Sequence, residues 1–261
     1  VNARVVIADG EVVKTYADAA TCRQAQLNYA ILSGLSVPDL HLPRLQATDD
    51  HQTVFTLLPG RAAVPTDLPR IAKALGHLHR LAFATHLRSA RLDRPFTIGG
   101  TVVLGFTDQR HQRSLAGLAE PDHGSLLTAR DIEHLFAMAG SWSAALYKDA
   151  NPRNFLIAAD APIGIIDFDD LTLAPFGYDL AKLIVTLAMT HGALESDPIN
   201  EALRQYNQAA TDTPEQDAPC PPQRLAMFCE LHHLFTAPYA GQHGYRHRWP
   251  DVRPWIGLKG D

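Results

Sequence analysis

"LYKDANPRNFL", residues 146–156, places a carboxylate, an amide and two cations between apolar flanks. Asp149 and Asn154 stand five apart, with Lys148 just before the pair and Arg153 just inside it. A proline and two asparagines do not run comfortably through a helix, so the stretch is a loop. The pair alone says little. With 21 Asp and 6 Asn in 261 residues, about 0.5 Asp-x4-Asn pairs arise by chance. The flanks add the information. Thr128 caps a predicted helix whose apolar side is Ile132, Leu135, Phe136, Ala139, Trp142 and Ala145, ending at the loop. After the loop come two short β runs, "FLIA" and "IGIIDF", around an Asp160–Pro162 turn. The second run leads into Asp167, Asp169 and Asp170. Three like charges at a strand end need a positive neighbour. A hard cation with oxygen ligands meets that need, and Mg²⁺ takes one or two side-chain oxygens plus phosphates and water. Asn154 offers a neutral oxygen and Asp167 a charged one. Asp149 is then left to accept a proton from an attacking hydroxyl. Positioning plus charge neutralisation is what phosphoryl transfer requires of a protein.

Composition agrees with a globular enzyme. The 261 residues suit one large domain or two lobes. The net charge of −5 and the absence of a Lys/Arg block argue against nucleic acid or an anionic membrane as partner. Cys22, Cys220 and Cys229 form no CxxC pair, which points to a reducing compartment. "LIVTLAM" is too short to span a bilayer, and the first residues lack the pattern of a signal peptide. The expectation is a cytoplasmic protein.

Further along, "ARVVIADGEVVKTY" predicts a hairpin turning at Asp9-Gly10. Thr21 and Gln24 have the spacing of a capping box for a helix with Leu27, Ala30, Ile31 and Leu35 on one face. Gly34 and Pro38 end it. "TVFTLLPG" is a buried strand entering a turn. Residues 1–60 thus form a small β-rich lobe, and 61–261 a mainly helical one. Asp67 caps the next helix, with Ile71, Ala74, Leu75, Leu78 and Leu81 on its apolar face. Residues 83–127 give only helix fragments and loop. "YDLAKLIVTLAMTHG" is a buried helix, a second starts at Asp197-Pro198, and a third covers "QRLAMFCELHHLF".

The order helix, "YKDANPRNFLI", "GIIDFDD", "APFGYDLAKLI" resembles the aminoglycoside phosphotransferase / choline kinase family. That resemblance implies a two-lobed, protein-kinase-like α+β fold. The function it implies is transfer of a γ-phosphate from ATP or GTP, with Mg²⁺, to a hydroxyl of a small molecule. It assigns Asp149 as catalytic base, Asn154 and Asp167 as metal ligands, and Asp169 as a further ligand. "VVKTY" resembles the strand bearing the nucleotide-phosphate lysine, here Lys14. "FTLLPGRAA" resembles the hinge that holds adenine, with Leu57 and Leu58. His79 in "LGHLHRL" and Asp179 take structural positions. Lys148 and Arg153 are candidates to meet phosphate. Glu230, His233, Tyr245 and Trp249 are candidates to line the acceptor pocket.

Four departures qualify this picture. The family's loop His and Gly are Tyr147 and Lys148 here, so the loop must be braced differently. No acidic residue lies between Asp18 and Asp39, so Gln24 or Gln26 stands where the family has a helix glutamate. A glutamine can hydrogen-bond an ammonium but not neutralise it. No glycine-rich loop precedes the first strand: it lies outside this sequence, the lobe is trimmed, or another segment covers the phosphates. These departures sustain an alternative, a degenerate kinase-like protein that binds nucleotide or ligand without turnover. A third reading is a metal-dependent hydrolase using the carboxylates and the His-rich tail, where Cys229, His232, His233, His243 and His247 are candidate zinc ligands. Their spacing fits no zinc pattern, and adjacent helical histidines point about 100° apart.

Overall fold

The computed structural model describes residues 3–147, 149–211 and 219–254. The first lobe opens with β1 (Arg4–Ala8) and β2 (Glu11–Thr15), an antiparallel hairpin. Asp9 and Gly10 both have positive φ, 51° and 79°, which matches the right-handed twist of the flanking strands. α1 (Ala19–Ser33) follows. Its cap is Asp18, whose carboxylate accepts from the Thr21 N–H at 2.8 Å and the Thr21 hydroxyl at 2.9 Å. The expected Thr21–Gln24 box is therefore replaced by a cap three residues earlier, where the Asp carboxylate is the stronger capping group. Next come β3 (Leu40–His41), β4 (Leu45–Thr48), β5 (Gln52–Thr56) and β6 (Arg61–Ala62). One antiparallel sheet has the order β1-β2-β5-β4. Along β5, Thr53 and Phe55 alternate inward, the period of a strand with one buried face.

α2 (Leu68–Ala82) begins the helical lobe and continues into a π-helical turn, Phe83–Leu87. Asp67 precedes α2 but does not cap it. Its carboxylate takes the Arg61 guanidinium at 2.6 and 3.0 Å and the Val64 N–H at 2.9 Å. The stretch that gave little pattern holds a hairpin, β7 (Phe96–Ile98) with β8 (Thr101–Val103), and α3 (Thr107–Ala119). α4 (Ala129–Ala139) starts at Thr128 with a capping box to Asp131. It stops well short of the loop. Ala144–Tyr147 is instead strand β9, because pairing with a later strand overrides the helical spacing of Trp142 and Ala145.

β10 (Phe155–Ile157) and β11 (Ile163–Ile165) form the expected hairpin. β12 (Thr172–Pro175) pairs with β9. β3 and β6, both from the first 62 residues, flank the β10–β11 hairpin in the order β3-β11-β10-β6. The strands that carry the site are thus clamped by chain from the small lobe.

α5 (Tyr178–His191), α6 (Ser196–Ala210), α7 (Pro222–Thr236) and short α8 (Trp249–Val252) complete the chain. Every residue of α5 from Tyr178 to Met189 is buried. A helix without a polar face belongs at the centre of a core, and α5 packs against α2, α7 and α8. α2 crosses α6 closely at Gly76, where a Cβ would come within 2.5 Å of the Tyr206 carbonyl oxygen. Gly177 enters α5 with φ 91°, and a Cβ there would sit 2.2 Å from Cys220 Sγ. The three cysteines are buried and free. Among the described residues no helix is long and apolar enough to cross a membrane.

Candidate active site

The strand after β11 turns sharply. Asp167 has φ 62°, in the left-handed region, which a short polar side chain tolerates better than most. The reversal sends Phe168 inward, its ring 5.4 Å from that of Tyr29 and 5.7 Å from that of Phe55. This apolar anchor leaves Asp167 and Asp169 on either side of it, and both meet Lys14. Lys14 Nζ lies 3.0 Å from Asp167 Oδ1 and 2.8 Å from Asp169 Oδ2. The lysine arrives there by strand periodicity, since Val12, Lys14 and Tyr16 share one face. Burial works against its charge, but Asp169 and Asp167 outweigh it and raise the Lys14 pKa above its ordinary value. The Tyr16 hydroxyl donates to Asp169 Oδ1 at 3.2 Å, and burial pushes its pKa up to about 12. Burial also raises the Asp170 carboxyl. Of the two carboxylates on Lys14, Asp167 is half exposed and Asp169 only 6% exposed.

Neither glutamine of α1 touches Lys14. Gln26 turns to Cys22 Sγ and to the Asp49 carbonyl. Gln24 donates to Asn28 Oδ1 at 2.9 Å, and Asn28 donates to the Asp169 carbonyl oxygen at 2.8 Å. α1 therefore grips the backbone of the acidic turn, and the acidic turn grips the lysine.

In the loop, Asp149 has φ 70°. Its carbonyl oxygen accepts from Asn151 N–H at 2.6 Å and from the Asn154 amide at 3.0 Å. The Asn154 amide also lies 3.5 Å from Asp149 Oδ2. With its nitrogen so committed, Asn154 has its amide oxygen left for another partner. Ile166 N–H donates to the Asn154 carbonyl at 3.0 Å, which fastens the loop to the acidic turn. From α5, Lys182 Nζ forms an ion pair with Asp149 Oδ1. The C-terminal tail reaches the loop as well. Asn151 donates to the Tyr245 hydroxyl at 3.4 Å, and Arg153 donates to the His243 carbonyl. Lys148 lies outside the described residues.

Between the lobes is a cleft of about 520 Å³. Val5, Ile7, Val12 and Phe168 give it apolar walls. Leu57 and Leu58 border it, as do Lys14, Arg153, Asn154, Asp167 and Asp169. The Leu57 N–H is used, donating to the Gly10 carbonyl at 2.8 Å.

The residues singled out in the tail divide. His233 and Trp249 line a separate cavity of about 500 Å³ with Asp122 and Arg248. Glu230 lies behind it, 1% exposed. Its carboxylate accepts from Trp249 Nε1–H at 2.8 Å, Leu126 N–H at 2.8 Å and Arg253 Nη2–H at 3.2 Å, and forms an ion pair with Arg253 Nε at 2.7 Å. Tyr245 meets the Asp149–Asn154 loop instead. His232 and His233 are buried, and burial lowers the pKa of each. Among the described residues no three or more His, Cys, Asp or Glu side chains converge as metal ligands, so the Cys229–His247 set forms no metal cluster there. His79 sits under the loop in a buried network. The Tyr206 hydroxyl accepts from Gly177 N–H at 2.7 Å and so donates to His79 Nδ1 at 2.8 Å. His79 Nε2–H then donates to Asp179 at 3.2 Å.

Three residues at the site were not singled out from sequence: Tyr16, Asn28 and Lys182. Lys182 had a readable signal. An ionisable side chain in a helix apolar on every side must find a counter-charge. Asn28 had a weaker one, a polar residue inside an otherwise ordinary helix.

The fold is similar to macrolide 2′-phosphotransferase from Brachybacterium faecium, at 17% identity over 88% of this chain and 76% of that one, with a TM-score of 0.52. It is similar to choline kinase from Streptococcus pneumoniae, at 14% identity over 90% and 79%, with a TM-score of 0.55. An aminoglycoside-3′-phosphotransferase of type VIII gives 19% identity over 89% and 94%, with a TM-score of 0.50. At such identities the likeness establishes the two-lobed, kinase-like fold. No curated protein sequence matches the chain. Residues 2–219 match the model of the phosphotransferase enzyme family, a span that runs from the lysine strand through the loop, the acidic turn and α5, and by that match the chain belongs to this family.

Proposed function

We propose that this protein transfers the γ-phosphoryl group of ATP or GTP to a hydroxyl of a small molecule. The observation that carries this reading is convergence. Lys14 from β2, Asn154 from the loop and Asp167 and Asp169 from the acidic turn all border one interlobe cleft, and Asn154 bonds Asp149 directly. Residues 1–60 act as the nucleotide-binding lobe in this reading. The base lies among Val5, Ile7 and Val12, and the hinge contact falls to Leu58, because the Leu57 N–H is committed to Gly10.

The donor set fits Mg²⁺, a hard cation that takes oxygen ligands. The amide oxygen of Asn154 and the half-exposed carboxylate of Asp167 would hold it, with Asp169 as a further ligand. When bound, the ion supplies neutralisation of phosphate charge. Lys14 meets the nucleotide phosphates, and Arg153 borders the same cleft. Asp149 orients the acceptor and takes its hydroxyl proton on Oδ2, since Oδ1 is held by Lys182. The acceptor oxygen bonds to the γ-phosphorus, the bond from that phosphorus to the β–γ bridging oxygen breaks, and the nucleoside diphosphate leaves. His233 and Trp249, at their own cavity, and Tyr245, beside the loop, contribute to the acceptor side. Glu230 holds Trp249 from behind.

The test is incubation of the protein with Mg-ATP or Mg-GTP and a panel of amino sugars, amino alcohols, macrolides and sugars, with Asp149→Asn alongside. Phosphorylated product that falls at least ~10²-fold in the variant is expected, the usual scale for a positioned base. Nucleotide binding without product from any acceptor would favour the degenerate, binding-only protein. Activity that requires zinc and no nucleotide would overturn both.

A further inference from the structure

We infer that Lys182 is the positioning residue for Asp149, reaching it from the core helix rather than from the loop. This rests on the reading of Asp149 as the base. The loop lacks the histidine and glycine that the resemblance would place before the aspartate; Tyr147 and Lys148 stand there. Asp149 stands at φ 70°, a left-handed conformation that a short polar side chain tolerates better than most, and Lys182 meets its side chain there. The lysine stands one turn into α5, on a helix buried along its length, and its side chain is 11% exposed. An ammonium so enclosed needs a carboxylate, and Asp149 Oδ1 provides it. Lys182 holds Oδ1, while the Asn154 amide holds the backbone carbonyl and reaches Oδ2 only at 3.5 Å, so Oδ2 keeps a lone pair for the acceptor.

The pairing also links two structural layers. Asp179, three residues before Lys182, is bonded to His79 of α2. α5 thus carries two charged residues near its start, one fixed to α2 beneath and one fixed to the loop. The Asp149 side chain is thus tied to the core helix, in addition to the bonds that hold the loop backbone.

The experiment is a double-mutant cycle of Lys182→Met and Asp149→Asn, with Lys182→Arg as the conservative variant. Methionine keeps the aliphatic stem and removes the charge. Each protein is assayed by urea denaturation and by phosphotransfer. Lys182→Met is expected to lower kcat at least ~10-fold, the scale of a misplaced reacting group, with KM for the nucleotide unchanged. Lys182→Arg should restore part of kcat. In the Asp149→Asn background the same change should cost less than ~2-fold, because its target is gone. In urea, the double variant should be no less stable than the weaker single variant. Additive losses in both assays would overturn the inference, as would an unchanged kcat. Absence of turnover in the wild type would defeat the proposed function instead. The urea cycle would then decide by itself whether Lys182 holds Asp149.

Discussion

The interlobe site and the histidine-rich tail look alike in sequence: each packs several titratable side chains between apolar segments. In the structure they solve the problem in opposite ways. At the site, charges remain and are matched. Lys14 faces Asp167 and Asp169, and Lys182 faces Asp149. In the tail, charge is mostly removed. His232 and His233 are buried with their pKa values lowered, and the one buried carboxylate, Glu230, is consumed by Trp249, Leu126 and Arg253. At the site, groups of opposite sign border the interlobe cleft; in the tail, His233 and Trp249 border a cavity of their own, while His232 and Glu230 lie in the core. Where the same residue types satisfy one another inside the core, they mark architecture.

Glu230→Ala gives the sharpest test of the tail as architecture. It leaves a buried guanidinium, an indole N–H and a backbone N–H without their acceptor. We expect a loss of about 3–5 kcal/mol in urea denaturation, the range for breaking a buried pair, and no change in melting temperature on adding zinc or a chelator. A zinc-dependent melting temperature would break the comparison. At the site, Asp149→Asn should reduce kcat at least ~10²-fold, about 2.7 kcal/mol in barrier height; it also leaves Lys182 without its carboxylate, but costs less stability than Glu230→Ala because Asp149 is 35% exposed and water screens the pair. Comparable effects of both variants on stability would erase the contrast.

Lys14→Met addresses the matched charges. Asp169 is buried and loses its counter-charge, while Asp167 is half exposed and rehydrates. The expected loss is about 2 kcal/mol, below the fully buried range because water screens one partner, and nucleotide affinity falls as well. Equilibrium denaturation and nucleotide titration read the two effects separately.

The smallest effect concerns pH. His232 has its pKa held well below the ordinary 6.5 by burial. The unfolded chain binds that proton first as pH falls. Stability from this group is therefore present above pH 6.5 and declines on acidification below it, by up to about 1.4 kcal/mol per pH unit. His232→Leu should flatten that slope in urea midpoints measured between pH 5 and pH 7. An unchanged slope would mean that His232 carries a charge in the folded protein.

Some of this was legible in the sequence for clear physical reasons. The Asp9-Gly10 hairpin, the β10–β11 hairpin and the helices α5 to α7 follow from local turn chemistry and long periodic runs. Asp149, Asn154 and Asp167 were legible as an ordered set because their spacing fits a loop and a strand end. Errors fell where local signals competed. Asp18 outranks Thr21 as a cap. The run after Ala139 kept a helical spacing, yet pairing of β9 with β12 made it a strand. Gln24 and Gln26 stand where the resemblance puts the lysine's partner, but the turn of α1 directs Asn28 to the acidic backbone instead.

By itself, the sequence determined the elements with clear turn chemistry or long periodic runs, the two-lobed order and the candidate groups for chemistry, because these depend on periodicity, capping and side-chain identity over short distances. Only the tertiary structure decided which charges meet. Lys14 and Asp169 are 155 residues apart, and Lys182 and Asp149 belong to different elements. Ion pairs of this kind depend on how α5 and the small lobe close around the loop, and no local pattern encodes that closure.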